Sequence, residues 1–481
     1  NNGKPGVDFL PGFILLFQVE TMLQEDTISA VTTAPGNAAI GIVRISGSDA
    51  LQIADQMFFA ASGKKLETYP SHTMVYGFVR DREGRDIDEV LSVYMKAPRS
   101  YTAEDVIEIQ CHGGMQSIRQ ILALTYYYGA RPAEPGEFTK RAFLNGRIDL
   151  VQAESVMDII NSKSAAALKI AVQQQEGFLS KKLKEVRRKL RDVIVHLEAV
   201  IDYPEEDIED VTYNEVKNSI SEAAKEVSTL LEGAHTGKIL KEGLRTAIIG
   251  RPNVGKSSLL NTLLKEDRAL VSEYEGTTRD VIEEQLVIGG VPVLLADTAG
   301  IHDTKDFVEK LGVERSRAFL DKAELILMVL DGTQPLTSDD ETILAAIKRK
   351  NAVFVVNKTD LSESIITKTL AERFAPENII EISAKTKEGI DRLESWLKEY
   401  VYGSSRQSDE EIYIQNERQI NLLRQAADSL KDAVEAAENR LPYDCLTIDV
   451  DRALTLMGEI TGETVRDEII NEIFARFCVG K

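Results

Sequence analysis

Apolar positions recur along this chain with three different periods. Between residues 22 and 140 they form short runs broken by turns. Ile40-Gly41-Ile42-Val43-Arg44-Ile45-Ser46-Gly47 reads as a strand entering a turn, and residues 49–60 read as a helix. Residues 91–95 and 106–110 read as strands, the second alternating apolar and polar residues as a half-buried strand must. Cys111-His112-Gly113-Gly114 then opens an apolar helix near 115–128. This is the pattern of an α+β domain. From 148 to 240 the period becomes helical. Leu150, Val151, Ala153, Val156, Ile159 and Ile160 share one face, and Leu179, Leu183, Val186, Leu190, Val193, Ile194 and Leu197 continue it. The helical period resumes near 408, with Leu422, Leu423, Ala426, Leu430 and Val434 in step.

Between the two helical stretches lie four short apolar runs, at 246–249, 293–296, 352–356 and 379–382. Each ends in a polar or glycine-containing loop, the pattern of buried strands in an α/β domain. The expected layout is a multidomain α/β chain. An α+β domain at 22–140 precedes an all-α domain in two parts, 141–242 and 405–481. A P-loop domain at 243–404 is inserted between them. Residues 1–21 are expected to be a non-structural extension. Their apolar run Phe9–Phe17 is too short to span a membrane.

The loops after the four runs carry the chemistry. The first is Gly250-Arg251-Pro252-Asn253-Val254-Gly255-Lys256-Ser257, which enters the apolar helix Ser258-Leu259-Leu260-Asn261-Thr262-Leu263-Leu264. Strand, G-x-x-x-x-G-K-[ST] and helix in that order are what a phosphate-binding loop requires. Glycines let the backbone wrap a polyphosphate, and the helix start offers free N–H groups. Lys256 would reach the β/γ-phosphates, Ser257 would ligate Mg²⁺, and Asn253, Val254, Gly255 and Ser258 complete the cradle. Asp297-Thr298-Ala299-Gly300 follows the second run; its Asp would hold Mg²⁺ through water and Gly300 N–H would meet the γ-phosphate. Gly276-Thr277-Thr278-Arg279-Asp280 lies between, with Thr278 placed to complete the Mg²⁺ shell.

Asn357-Lys358-Thr359-Asp360 follows the third run and identifies the base. Guanine offers N1–H and an exocyclic amino group, which one carboxylate accepts in bidentate fashion. Adenine would leave Asp360 unpaired, and a polar site without its partner discriminates strongly. Ser383-Ala384-Lys385 after the fourth run fits a loop closing over the base. Five motifs in this order define a GTPase domain. Two details depart from the Ras pattern. Ile301 stands where a water-positioning Gln is expected, so Asp303, Asp306 or Glu309 must be considered for that task. Asn253 is either an ordinary loop residue or a side-chain ligand for a monovalent cation beside the phosphates.

Composition limits the remaining classes. The 481 residues suggest about three domains. Three cysteines, Cys111, Cys445 and Cys478, fit a reducing compartment such as the cytoplasm rather than a disulfide framework. The net charge of −21 is awkward for a nucleic-acid binder, because phosphate contacts need Lys and Arg. The basic run Lys181–Arg191 either faces RNA or is a solvated helix face. Arg44, Glu108, His112 and Arg147 read either as a polar cluster or as ordinary turn and surface residues. Cys478, near the chain end, is either incidental or a functional thiol.

The GTPase motifs, with Gly41–Gly47, His112-Gly113-Gly114, Pro135-Gly136-Glu137-Phe138 and the terminal Cys478-Val479-Gly480-Lys481, resemble the MnmE (TrmE) family of tRNA-modification GTPases. The resemblance runs from Asp26 to Lys481. It implies an N-terminal tetrahydrofolate-binding and dimerisation domain, a helical domain and an inserted Ras-like G domain. It implies a homodimer that joins the flavoprotein MnmG (GidA) in a heterotetramer, with tRNA as substrate. The two would add a carboxymethylaminomethyl or aminomethyl group to carbon 5 of the wobble uridine, using 5-formyl-tetrahydrofolate or a related one-carbon donor. It implies GTP hydrolysis stimulated by K⁺ when two G domains associate. By motif, Asn253 would bind K⁺ through its side chain. The loop Ser272-Glu273-Tyr274-Glu275-Gly276-Thr277 would line the nucleotide, with Ser272, Tyr274 and Thr277 on the cation. Ser272 replaces a common Thr, which a carbonyl ligand tolerates. Glu309 would be the catalytic glutamate, orienting the attacking water through a second water. Arg44, Glu108, Arg147 and Lys481 match folate-contacting positions, with Arg147 replaced by Lys in other members, and Cys478 matches the C-terminal cysteine. The competing class is a ribosome-assembly or translation GTPase of Era or Der type, where a basic RNA-binding appendix is expected instead of these flanks.

Overall fold

A computed structural model describes residues 26–34, 36–162, 164–202, 209–266, 284–295, 322–403 and 412–481. The chain divides into two compact units. One comprises residues 1–149 with 466–481, the other residues 150–465.

The first unit is built on β1 (Ile28–Val31), β2 (Ile40–Ser46), β3 (Phe58–Ala60), β4 (Met74–Arg80), β5 (Asp86–Met95), β6 (Val106–His112) and β7 (Arg131–Pro132). Their order in the sheet is β3-β4-β5-β6-β2-β1-β7. All neighbours are antiparallel except β1 and β7. The period of two sorts the side chains. Val43, Ile45, Ile107 and Ile109 face the core shared with α1 (Ala50–Met57) and α2 (Met115–Tyr127), where Ile53, Met57, Ile118 and Ile121 are buried. Arg44 and Glu108 alternate with these residues and so point to the opposite face, where they lie directly across from each other in the ladder. A small cluster of Ile28, Ala30, Ala133 and Phe138, with Tyr101 against it, covers this end of that face. Phe138 belongs to α3 (Glu137–Leu144).

The helix expected over 49–60 stops at Met57. Phe58-Phe59-Ala60 pairs instead with Gly77–Val79 as an edge strand, since aromatic residues suit a pleated surface better than a helix end.

The C-terminal segment belongs to this first unit, although its helical period suggested continuity with residues 405–465. The helix Asp467–Ala475 buries Ile470 and Phe474, and Phe474 meets Phe143 of α3 with ring centroids 6.3 Å apart. The tail then bonds along residues 135–136. Gly136 N donates to Cys478 O at 3.3 Å, and Pro135 bridges Val479. Gly480 has φ +95° and lies so close to the Val31 carbonyl that a Cβ would collide with it, so glycine is required there.

The second unit combines a helical bundle with a wound sheet. It starts with α4 (Leu150–Ile160), α5 (Ala165–Gln175), α6 (Phe178–Asp202) and α7 (Glu209–Glu242). Leu183, Val186, Leu190, Val193 and Leu197 of α6 pack with Ile220, Ala223 and Val227 of α7 and with the helices Glu417–Glu438 and Tyr443–Thr461. The sheet contains β8 (Leu244–Ile249), β9 (Glu284–Ile288), β10 (Val291–Leu295), β11 (Leu325–Asp331), β12 (Ala352–Asn357) and β13 (Ile379–Glu381). Its order is β13-β12-β11-β8-β10-β9, parallel except for β9. β11 is buried at every position because helices cover both faces, which explains its unbroken apolar run. One face holds α8 (Lys256–Glu266) and the helix Ile390–Tyr402, the other the helix Ser338–Ile347. The sheet is anchored to the bundle where Thr236 Oγ1 of α7 donates to Val401 O at 2.8 Å.

Candidate functional site

The carboxyl ends of β8, β11, β12 and β13 converge on one crevice, where wound sheets bind their ligands. β8 releases the phosphate loop into α8. The loop needs unusual backbone angles, with Asn253 at φ +64° and Gly255 at φ +102°. A Cβ on Gly255 would collide with Asn357 Nδ2, so this glycine admits the neighbouring loop. Lys256 folds back under the loop, its Nζ donating to Gly250 O at 2.8 Å and Arg251 O at 2.9 Å. It is 9% exposed, and burial pushes its ammonium below the ordinary lysine range. No carboxylate pairs with it among the described residues. A buried cation held only by carbonyl oxygens, beneath a glycine loop and a helix start, suits a polyphosphate.

The loops after β12 and β13 are tied to this cradle. Asn357 Nδ2 donates to Val254 O, and Ala384 N donates to Asn357 Oδ1, both at 2.9 Å. One side chain therefore couples the phosphate loop to the base-closing loop. Ser383 Oγ donates to Asp360 Oδ1 at 2.8 Å, which orients the carboxylate. Lys385 is exposed beside it. Two residues that the sequence patterns did not single out also act here. Thr262 Oγ1 of α8 donates to Ala384 O at 2.9 Å, and Asp331 accepts from Lys358 Nζ at 2.7 Å. Neither lies in a motif, and only the fold brings them to it. Ser257 and Ser258 open α8 at the loop's end, where Ser257 would hold Mg²⁺. Ser272, Glu273, Tyr274, Glu275, Gly276, Thr277, Thr278, Asp297, Thr298, Ala299, Gly300 and Glu309 lie outside the described residues.

A second polar site forms on the outer sheet face of the first unit. Glu108 Oε1 accepts from Arg44 Nε at 2.8 Å and from Arg44 Nη2 at 2.7 Å. The Arg44 guanidinium lies 5.2 Å from the Tyr101 ring centre and 5.4 Å from that of Phe138. Arg147 stacks on the same Tyr101 ring at 5.0 Å, and its Nη1 donates to Tyr101 O at 2.8 Å. Arg44, Glu108 and Arg147 thus gather around one aromatic residue that the sequence patterns had not marked. Beside them Arg141, buried, is bound by Asp26, Glu104 and Glu137, which fixes α3 against the strands. Lys481 ends the tail beyond Gly480, its N–H donating to Cys478 O at 3.3 Å, and Cys478 is exposed. His112 is not part of this cluster. It sits four residues farther along β6, about 13 Å away at strand rise, and pairs with Asp88 Oδ1 at 2.6 Å.

Of the basic run, Lys182 and Lys189 pair with Glu226, and Arg187 pairs with Glu463. Cys111 is buried, and burial pushes its thiol up to about 11, which leaves it inert. No helix among the described residues is long and apolar enough to cross a membrane.

A wound parallel sheet, a glycine-gated phosphate loop over a buried lysine, and an Asp held by Ser383 after the third parallel strand define a P-loop GTPase domain within a multidomain chain. Sequence comparison places it more narrowly. A family profile described as the MnmE helical domain matches residues 150–478, and one described as the GTP-binding protein TrmE N-terminus matches residues 27–147. The tRNA modification GTPase MnmE of Alkaliphilus metalliredigens is 48% identical over 96% of this chain and 100% of its own length. The protein of the same name from Clostridioides difficile is 47% identical over 96% of this chain and 100% of its own. The G domain of the T. maritima FeoB transporter aligns with 33% of this chain and 98% of its own at 24% identity, with a TM-score of 0.25. The chain belongs to the MnmE (TrmE) family and is a GTPase.

Proposed function

We propose that this chain couples K⁺-dependent GTP hydrolysis to modification of the wobble uridine of tRNA, acting with the flavoprotein MnmG and a tetrahydrofolate one-carbon donor. The tRNA substrate rests on the relatives' shared name and full-length match. The folate reading is carried by one observation, the Arg44–Glu108 pair set against Tyr101. A pterin is flat and presents ring N–H donors and a carbonyl acceptor, which a carboxylate, a guanidinium and an aromatic ring can match. Arg147 extends the cationic side towards a folate's carboxylates, and Lys481 would contribute from the tail. Bound there, the folate would supply the one-carbon unit; the residues would hold and orient it.

Dimerisation through the N-terminal domain is supported by the rest of that sheet face. Phe59, Met74, Tyr76 and Leu91 are each 41–45% exposed on β3, β4 and β5. Tyr76 and Leu91 stand opposite each other in the ladder, so they form a continuous apolar patch of the kind an interface covers. In the G domain, Ser257 with Thr278 and Asp297 would hold Mg²⁺. Glu309 would position the attacking water in place of the absent glutamine. Cys478, exposed in the tail, is a candidate functional thiol. Cytoplasmic location follows from a tRNA substrate.

The folate reading is tested by equilibrium titration with 5-formyl-tetrahydrofolate. Saturable binding is expected, weakened about 10- to 100-fold in Arg44→Ala, since the lost contact is charge-assisted. Absence of binding by the unmodified chain removes the folate donor and favours a GTPase switch of the ribosome-assembly type. The cation is tested separately. Asn253 is exposed in the loop with a left-handed backbone, φ +64°. GTP turnover in K⁺ should exceed that in Na⁺ by about tenfold or more, as for an added positive charge at developing negative charge. Asn253→Ala should abolish the difference; equal turnover of the unmodified chain in both salts rules the cation out.

A further inference from the structure

Asp331 ends β11 in register with Asn357 at the end of β12, at the rim of the nucleotide crevice. No nucleotide-binding motif contains it, yet its side chain is only 7% exposed and fully engaged. Its Oδ1 accepts from Thr333 N at 3.1 Å and Thr333 Oγ1 at 2.7 Å, and its Oδ2 accepts from Lys358 Nζ at 2.7 Å. The Lys358 backbone is left-handed, φ +71°, which is unusual for a residue with a side chain. Its neighbours on either side are already fixed, Asn357 by the phosphate and base-closing loops and Asp360 by Ser383. Lys358 lies between them and is 30% exposed. Its ammonium is held by Asp331 across the strand end, so the aliphatic stem is fixed at both ends. Freed from that carboxylate, the four-carbon stem would sample many rotamers, and ordering it on binding would oppose affinity.

We propose that Asp331 is a positioning residue for guanine nucleotides: it anchors the Lys358 ammonium so that the lysine stem stands preformed as one wall of the base slot. Asp331 touches no nucleotide atom and takes no part in hydrolysis. Its action runs through Lys358 and falls on affinity, equally for GTP and GDP.

The simplest alternative is that Asp331 only caps the turn to Thr333. Asp331→Asn separates the two roles, because the amide oxygen still accepts from Thr333 while the charge that holds Lys358 is gone. The full-length chain is titrated with fluorescent GDP and GTP, and its apo melting temperature and saturated turnover are recorded. Asp331→Asn is expected to raise Kd for both nucleotides about tenfold, mostly through faster release. kcat at saturating GTP should stay within about twofold, and Asp331→Glu should recover part of the affinity. In a Lys358→Met background the Asn substitution should have no further effect, since the pair then shares one loss. The proposal is overturned by unchanged affinity in Asp331→Asn, by additive losses with Lys358→Met, or by a fall in kcat with Kd intact. Nucleotide binding by the unmodified chain is read in the same titration, so failure of the GTPase domain itself is distinguished from failure of this residue's role.

Discussion

Asp360→Asn is expected to lower kcat/KM for GTP on the order of 10³-fold and to raise it for xanthosine triphosphate. The carboxylate is the only group in the motif able to accept from both N1–H and the exocyclic amino group of guanine. Ser383 Oγ already binds Oδ1 and fixes the plane of the group. In the Asn variant one acceptor becomes an N–H₂ donor that confronts the guanine amino group, so two donors meet. A site built around a hydrogen bond discriminates by about 10⁴ or more when the partner is missing; the Asn retains one acceptor, which places the loss somewhat lower. Xanthine has a carbonyl where guanine has the amino group, and the new amide donor meets it. The measurement is turnover against concentration for both triphosphates. A variant that loses GTP turnover without gaining any for the xanthine nucleotide shows that Asp360 serves loop structure rather than base reading. The Ser383 contact and the apo melting temperature give the control, because the Asn oxygen can still accept from Ser383.

The parts of this site that were legible in sequence are those whose chemistry is local. The phosphate loop announces itself because strand, glycine loop and helix must be contiguous, and β8 and α8 flank it at Ile249 and Lys256. Asp360 stood out in the sequence because a single carboxylate after an apolar strand is matched to guanine, and the structure ties it to Ser383. Asp331 and Thr262 were not, since each reaches its partner across another element and sits in no motif. Tyr101 escaped for the same reason. Its ring organises Arg44 and Arg147, which are 103 residues apart in the chain by subtraction of their numbers, and it lies in a turn with no periodicity. His112 shows the converse error. Sequence proximity to Glu108 suggested a shared cluster, but the three strand residues between them carry it to a separate partner in Asp88. The packing of the tail was not legible in its sequence: Phe474 is buried against α3, and Gly480 lies against the Val31 carbonyl. Periodicity reports which face of a helix is buried, not what buries it.

Lys256→Met should abolish GTP binding at ordinary concentrations, on the order of 10³-fold in Kd, without lowering the stability of the nucleotide-free chain. Lys256 is buried with two carbonyl oxygens as partners and no counter-charge among the described residues. Burial depresses its folded pKa below that of the unfolded chain. The sign follows directly. Between the two values the unfolded chain binds more protons, so the nucleotide-free fold gains stability as pH rises through that window. Below the folded value the charge stays on and its burial cost is fully present. Methionine keeps the stem, removes the charge and frees two carbonyls, so the loss of hydrogen bonds is offset by the relief of a buried cation. Triphosphate reverses the balance in the natural chain by placing negative charge against the ammonium, and removing one partner of such a buried pair costs about 2–5 kcal/mol. In thermal melts, GTP at about 100 times its Kd should stabilise the natural chain by about 2.7 kcal/mol, and the same concentration should leave Lys256→Met unshifted. A large drop in the apo melting temperature of the variant, with a GTP-induced shift still present, contradicts the argument: Lys256 would then be a structural strut of the loop, and the phosphates would be held by the backbone N–H groups and α8 alone.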